Sequence, residues 1–350
     1  MNATQPGARR PDSAGLAWQF APPPREATIV LDHGEQARMA RRLDELAARL
    51  DNRRLDDHHL LTEVEVAARA LPARLLSRLV GFRVAGNGHG MLLIRGLPVD
   101  SPLPLTPKSG YLAYWPAAAR STLTQLAVMS VLGHVIAYAD EKLGGIVQDI
   151  CPAAGQEYRQ ENTGSMLLEL HTEDGFHPFK PEIISLICLR GDHEQTAATV
   201  TASIKSVLSL LPEPALRALR EPIYRIRFST SFLGLDRPAR YSPPLPVLSG
   251  PDNDPDLCVD FHAMEATRSD GAAAFEALRE AMIAALIGVV LTPGDLLVVD
   301  NRVAVHGRTG FVPRYDGKDR WLRRCFAVAD LRPSRALRGP ASRVCAPVST

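Results

Sequence analysis

From residue 165 onward the chain breaks into short β-prone runs, at about residues 166–171, 183–189, 197–203, 223–229, 295–299, 303–306 and 321–328. Turns rich in Pro, Gly and Asp separate them, which is the punctuation of strands rather than of long helices. Many short strands bury their apolar faces by packing sheet on sheet or by closing into a barrel. One helix interrupts the series and is expected over Ala272–Val290, with Phe275, Leu278, Met282, Leu286 and Val289 on one core-facing stripe.

The N-terminal third has a different texture. Met39, Leu43, Leu46 and Leu50 recur at helical spacing, and further helical stretches are expected around 60–79 and 122–138. Met91–Arg95 reads as a strand, and Gly144–Ile150 as a turn feeding another. The expectation is a mainly β protein with added helices. It would form a single domain over 28–335, with a helical part over about 28–145 and a β core over about 145–330. No low-complexity linker or internal repeat divides that span. Residues 1–27, which include Pro22-Pro23-Pro24-Arg25, are expected to be a disordered tail, and 336–350 a C-terminal tail.

Lys and Arg number 40 against 39 Asp and Glu, so no global field favours nucleic acid or an anionic membrane. A small molecule is the expected partner, and the oligomeric state is not legible. Five cysteines at 151, 188, 258, 325 and 345 form no close pair, which suits a reducing compartment better than a disulfide framework. Arg9-Arg10 is followed by no apolar h-region, and no apolar run reaches membrane-spanning length. A cytoplasmic protein is expected.

The chemistry-bearing residues lie within the β region. In His171-Thr172-Glu173 the first and third residues would project from one face of a strand and could bind one ion, with Thr172 turned away. His306 lies far downstream in Asp300–Arg308. Two imidazoles and a carboxylate form a facial triad that leaves open positions on iron(II) for substrate and oxygen. The same set also suits zinc, which keeps a metal-dependent hydrolase open, and a non-catalytic binding protein is a further alternative. In Arg320–Val328, residues Arg320, Leu322, Arg324 and Phe326 would share one strand face, so two guanidiniums would point inward among apolar groups. A buried arginine needs an anionic partner, and a dicarboxylic co-substrate would supply one.

The stretches His171–Pro178, Leu186–Arg190 and Asp192–Thr199 resemble the clavaminate-synthase-like family of iron(II)/2-oxoglutarate oxygenases. The pattern is most similar to the branch that hydroxylates free amino acids, which includes the arginine β-hydroxylase of viomycin biosynthesis and lysine hydroxylases. The similarity spans roughly residues 90–330, and Glu in place of the commoner Asp of His-x-Asp is itself a discriminating detail. It implies a double-stranded β-helix (jelly roll, cupin-like) core with N-terminal and inserted helices. It implies His171, Glu173 and His306 as iron ligands, and Thr199 with Arg320 on the distal carboxylate of 2-oxoglutarate. Arg324 would lie near the substrate carboxylate. The implied cofactors are Fe(II), 2-oxoglutarate and O2, and the implied activity is hydroxylation of an unactivated C–H. Glu173 on the metal favours hydroxylation, since its loss would open a place for halide.

Substrate recognition departs from the family pattern. Where the arginine hydroxylases place an Asp-x-Asp pair, this chain has Asp260-Phe261-His262. One carboxylate suits an ammonium better than a forked guanidinium, which favours lysine over arginine. Citrulline, ornithine and a carrier-bound amino acid stay open, as does desaturation or cyclisation at the same centre. Ser165 is a further candidate for a substrate carboxylate. His177 and His193 are expected to be hydrogen-bonding neighbours, and Asp140 with Glu141 a solvated helix end.

Overall fold

The computed structural model describes residues 18–50, 53–109, 112, 114–229, 232 and 239–347. It is a mixed sheet and helix fold built on two principal sheets. The large sheet has eight strands: β1 (Thr28–Val30), β2 (Met91–Arg95), β3 (His134–Tyr138), β4 (Val147–Ile150), β6 (Ile183–Arg190), β13 (Leu296–Asp300), β15 (Trp321–Val328) and β16 (Val344–Cys345). They run in the order β1-β2-β13-β6-β15-β3-β16, and β4 also pairs with β15. The small sheet has the order β12-β7-β14-β5, from Ile287–Val290, Ala198–Ser203, Ala304–Arg308 and Leu168–His171. Two ribbons flank it: β8 (Tyr224–Ile226) with β11 (Met264–Ala266), and β9 (Leu248–Ser249) with β10 (Asp256–Leu257).

Side-chain alternation divides the interior into layers. On the large sheet, Leu92, Ile94, Ile187, Leu189, Leu296, Val298 and Trp321 face the N-terminal helices His33–Leu50, His58–Ala68, Ala73–Ala85 and Ala119–Leu132. The intervening Met91, Leu93, Leu186, Cys188, Leu297, Val299 and Leu322 meet Val289 and Ala304 of the small sheet. The small sheet's outer face (Leu170, Ala198, Val200, Ala202, Val305) packs under Leu278 and Met282 of the helix Ser269–Ala284. Inward-facing residues of both sheets thus enclose one inter-sheet space, and His171, Thr199, His306 and Arg324 lie on the inward parities of their strands.

Three expectations about boundaries change. The late helix ends at Ala284, and Ile287–Val290 becomes strand β12 beside β7. Leu286, in the connection before β12, and Val289, within it, extend the apolar stripe because both are buried, while the strand's Ile-Gly-Val-Val composition suits an extended chain. Residues 1–17 of the expected tail lie outside the described residues, while 18–27 are anchored at a few points along a largely exposed stretch. Trp18 and Ala27 are buried, and Ala21 bridges to Ile287. The C-terminal stretch likewise carries β16, which runs parallel to β3 and buries Cys345.

Candidate active site

Strands β14 and β5 are antiparallel neighbours, and their register sets His306 opposite His171. Their ring centroids lie 4.3 Å apart. Strand β5 ends at His171, so pleating alone does not place Glu173. Its backbone N–H donates to Asn301 Oδ1 at 2.8 Å, and Asn301 Nδ2 donates back to Glu173 O at 3.1 Å and to Pro181 O at 2.8 Å. Thr172 turns away, its Oγ1 accepting from the Val259 N–H at 3.0 Å. One ligand atom from each of His171, Glu173 and His306 lies within 4.8 Å of the others.

The imidazoles are oriented for coordination. His171 Nδ1 sits 2.8 Å from Glu169 O, which fixes that ring and leaves Nε2 for a metal. His306 Nε2 is 3.4 Å from Glu173 Oε2, and burial holds its pKa below the ordinary range, so the ring is neutral as a ligand requires. Burial would raise the Glu173 carboxyl, but the Arg324 guanidinium and the hydrogen bond to His306 outweigh it and hold the carboxyl below its ordinary range. The set fits a small divalent cation, as donor type and convergence both demand.

Strand β15 supplies the two inward arginines. Arg324 is buried; it donates through Nη1 to Glu173 Oε1 at 2.7 Å, through Nε to Gln148 Oε1 at 3.1 Å, and through Nη2 to Glu141. Glu141 is therefore not a solvated helix end: it is 3% exposed, and it clusters with Glu173 and Asp174 within 4.8 Å. Burial and the neighbouring carboxylates push Asp174 well above its usual range, and burial raises Glu141 despite Arg324. One guanidinium thus pairs with two of the three clustered acids, and Glu141 Oε2 and Asp174 Oδ2 are buried without hydrogen-bond partners. Such a cluster accommodates a further cationic group.

Arg320, also buried, donates to Thr199 Oγ1 at 3.2 Å. It forms no ion pair among the described residues, and burial lowers its pKa. A guanidinium held there with one hydroxyl as its hydrogen-bond partner among the described residues fits a carboxylate ligand. On the opposite parity, Arg323 pairs with Asp149 at 3.0 Å beneath the helices, so alternation along β15 separates site arginines from a structural one.

Beside the triad lies a cavity of about 250 Å³ whose walls include Glu141, Asn162, Asp174, Asp260, His262 and Arg324. Asp260 bridges to His171 through the backbone, and its Oδ1 accepts from the His262 and Ala263 N–H groups at 2.9 and 2.7 Å. It caps a turn at the cavity wall. Ser165 does not join this cavity: it lines a separate depression with Met166, Glu194 and Phe311, and its carbonyl accepts from Phe311 N–H. Turn chemistry just before β5 takes it away from the metal ligands.

Sequence reasoning missed four residues that shape the site. Glu141 and Asp174 carried no pattern that distinguishes a buried acid from an exposed one, and Asn301 acts through backbone contacts with a segment 128 residues away. Arg308 was visible in principle, two residues beyond His306 and so on its face of β14.

The model of the taurine catabolism dioxygenase TauD, TfdA family matches residues 81–326. L-asparagine oxygenase of Streptomyces coelicolor is 39% identical over 327 residues, covering 92% of this chain and 96% of that protein. L-lysine 3-hydroxylase of Catenulispora acidiphila is 35% identical over 344 residues, covering 97% and 94%. Clavaminate synthase 2 of Streptomyces clavuligerus is 36% identical over 284 residues, covering 79% and 86%. A solved structure of asparagine oxygenase with Fe(II), 2S,3S-3-hydroxyasparagine and succinate superposes with a TM-score of 0.86 at 39% identity, covering 91% of this chain and 99% of that one. No helix among the described residues is long and apolar enough to cross a membrane. The chain belongs to the TauD/TfdA dioxygenase family and is a non-haem iron oxygenase dependent on Fe(II), 2-oxoglutarate and O2.

Proposed function

We propose that this enzyme hydroxylates an unactivated C–H bond of a free L-amino acid, with lysine the best match to its cavity. The two facing sheets are read as a jelly-roll (double-stranded β-helix) core, on the basis of their mainly antiparallel pairing and the shared layer between them. His171, Glu173 and His306 would hold the iron. Arg320 and Thr199 would hold the distal carboxylate of 2-oxoglutarate. When bound, iron and co-substrate supply the oxidising power, with succinate and carbon dioxide as by-products. The chain's own residues fix which carbon faces the metal.

The observation that carries the substrate class is the charge of the cavity wall. Six carboxylates line it (Glu141, Glu161, Glu169, Glu173, Asp174 and Asp260) against three cations (Lys142, Arg159 and Arg324). Glu161 and Glu169 are paired with Arg159 and Arg279. The remaining acids favour a substrate with more than one ammonium group. The spare oxygens of Glu141 and Asp174 would accept from the α-ammonium. Arg324 would offer the Nη1 edge that also reaches Asn162 at 3.4 Å to the α-carboxylate. Asp260 would take the distal ammonium, through the carboxylate oxygen that does not cap its turn.

Asparagine is the second reading. The 39% identity to an asparagine oxygenase favours it, as does the pairing of one carboxylate, Asp260, with His262 on the wall. A side-chain amide both donates and accepts, which that pair could match. The test is succinate formation across the proteinogenic amino acids plus ornithine and citrulline, with product mass. Lysine turnover with a gain of one oxygen supports the proposal. Turnover of asparagine alone replaces it with the second reading, and a loss of two hydrogens replaces hydroxylation with desaturation or cyclisation. A reducing cytoplasm is kept as the compartment, on five cysteines that form no disulfide.

A further inference from the structure

Two guanidiniums, not one, enter the inter-sheet space beside Thr199. The register of β14 against β7 sets Arg308 opposite Thr199 and His306 opposite Thr201. Directly opposed residues of an antiparallel pair project from one face as close neighbours. Arg320 reaches the same threonine from the facing sheet, at 3.2 Å. Both guanidiniums also lie over the Phe311 ring, 5.0 Å from its centroid for Arg308 and 5.8 Å for Arg320.

Both arginines are buried, and neither has an ion pair among the described residues. Asp192, a carboxylate whose charge bears on Arg320, commits its oxygens to the backbone N–H groups of Thr196 and Ala197. Arg308 donates through Nη2 to Met166 O at 2.8 Å, while its Nε is buried without a partner, as is Thr201 Oγ1. One carbonyl bond does not compensate a buried cation held next to another cation. An anion shared by both would.

We propose that Arg308 is a second anchor for the distal carboxylate of 2-oxoglutarate and sets the preference for a 2-oxo diacid over a 2-oxo monoacid. Two cations and a hydroxyl converge where one carboxylate would sit, and each fork offers parallel N–H donors to it. The described groups beside these two like charges, the Thr199 hydroxyl and the Phe311 ring, carry no opposing charge. A monoacid leaves them in that state, so discrimination comes from the pocket's own repulsion as well as from the bonds it makes.

The inference rests on the proposed placement of the co-substrate against Arg320 and Thr199, and the experiment separates the two. The iron(II) enzyme is titrated anaerobically with 2-oxoglutarate and with 2-oxovalerate, a monoacid of the same chain length. Binding is followed by the visible charge-transfer absorption and by equilibrium dialysis. Arg308→Gln is expected to weaken 2-oxoglutarate by about tenfold or more while leaving 2-oxovalerate and iron content nearly unchanged, and Arg308→Lys to lose less. A diacid-to-monoacid preference that stays within about twofold of wild type in Arg308→Gln overturns the proposal. If Arg308→Gln does not fold, full wild-type affinity in Arg308→Lys overturns it instead. Weakened binding in Arg320→Gln but not in Arg308→Gln removes only the second anchor. Unchanged binding in Arg320→Gln removes the placement and the second anchor together.

Discussion

Arg324 Nη1 lies 2.7 Å from Glu173 Oε1, while the other oxygen of that carboxylate lies 3.4 Å from His306 Nε2. The acid of the proposed metal triad is therefore held by a guanidinium that also binds Glu141 and Gln148. Arg324 also lines the neighbouring cavity, so under the proposed assignment iron binding and substrate binding would be linked through it.

Replacing Arg324 by Met strands two buried carboxylates, those of Glu141 and Glu173. At neutral pH the loss of stability is expected to be at least about 3 kcal/mol, as for breaking a buried ion pair from one side. It should shrink on acidification as the acids protonate. Denaturant melts of the metal-free protein at two pH values measure both effects.

Arg323 makes the opposite case on the same strand. It is buried against Asp149 and donates to Thr122, on the helix side of the sheet. Arg323→Met should also cost about 3 kcal/mol, while affinity for 2-oxoglutarate stays within about twofold of wild type. A melt paired with a binding titration tests that separation.

Asn301 is a positioning residue that acts through the backbone of Glu173. Asn301→Ala should weaken iron binding by about 10–100-fold, the usual size of an outer-shell loss at a metal site. Glu173→Ala removes a ligand outright and should weaken it by more than about 100-fold. Competition with a calibrated chelator reads both, with substrate absent.

His177 packs against Tyr138, with ring centroids 4.4 Å apart, and its Nδ1 accepts from the Phe179 N–H at 3.0 Å. Burial lowers its pKa from 6.5 to about 4. Between those values the unfolded chain binds the proton and the native protein does not, so stability is full above about 6.5 and falls as pH drops toward 4. The contribution lost across that window is up to roughly 3 kcal/mol, since each pH unit within it removes about 1.4 kcal/mol. His177→Asn should flatten this part of the stability–pH curve, as measured by chemical denaturation from about pH 7.5 to about 4.5.

Much of the site was legible because it rides on strand parity. The alternation Arg320, Leu322, Arg324 is local, and the structure keeps it, with Arg323 on the other face. The position of His306 across from His171 needed only two strands to pair. Glu173 was harder. The strand stops at His171, and Asn301 takes over the positioning that pleating was expected to supply. Glu141 was misread because burial of an acid is set by partners distant in sequence, here Arg324 183 residues away. The apolar spacing runs past the end of the late helix because Leu286, in the connection, and Val289, in the strand that follows, are both buried. Residues 18–27 looked structureless because Pro-rich sequence lacks periodicity, yet Ala21 finds Ile287 at the edge of the small sheet.

The measurement that bears most directly on the central claim is succinate production by the iron(II)-loaded enzyme under oxygen, with each free amino acid supplied in turn. Stimulated succinate with lysine, matched mole for mole by a product one oxygen heavier and abolished in His306→Ala, is the expected result. If no free amino acid raises succinate above the background of iron, 2-oxoglutarate and oxygen alone, the assignment of a free amino-acid substrate is contradicted.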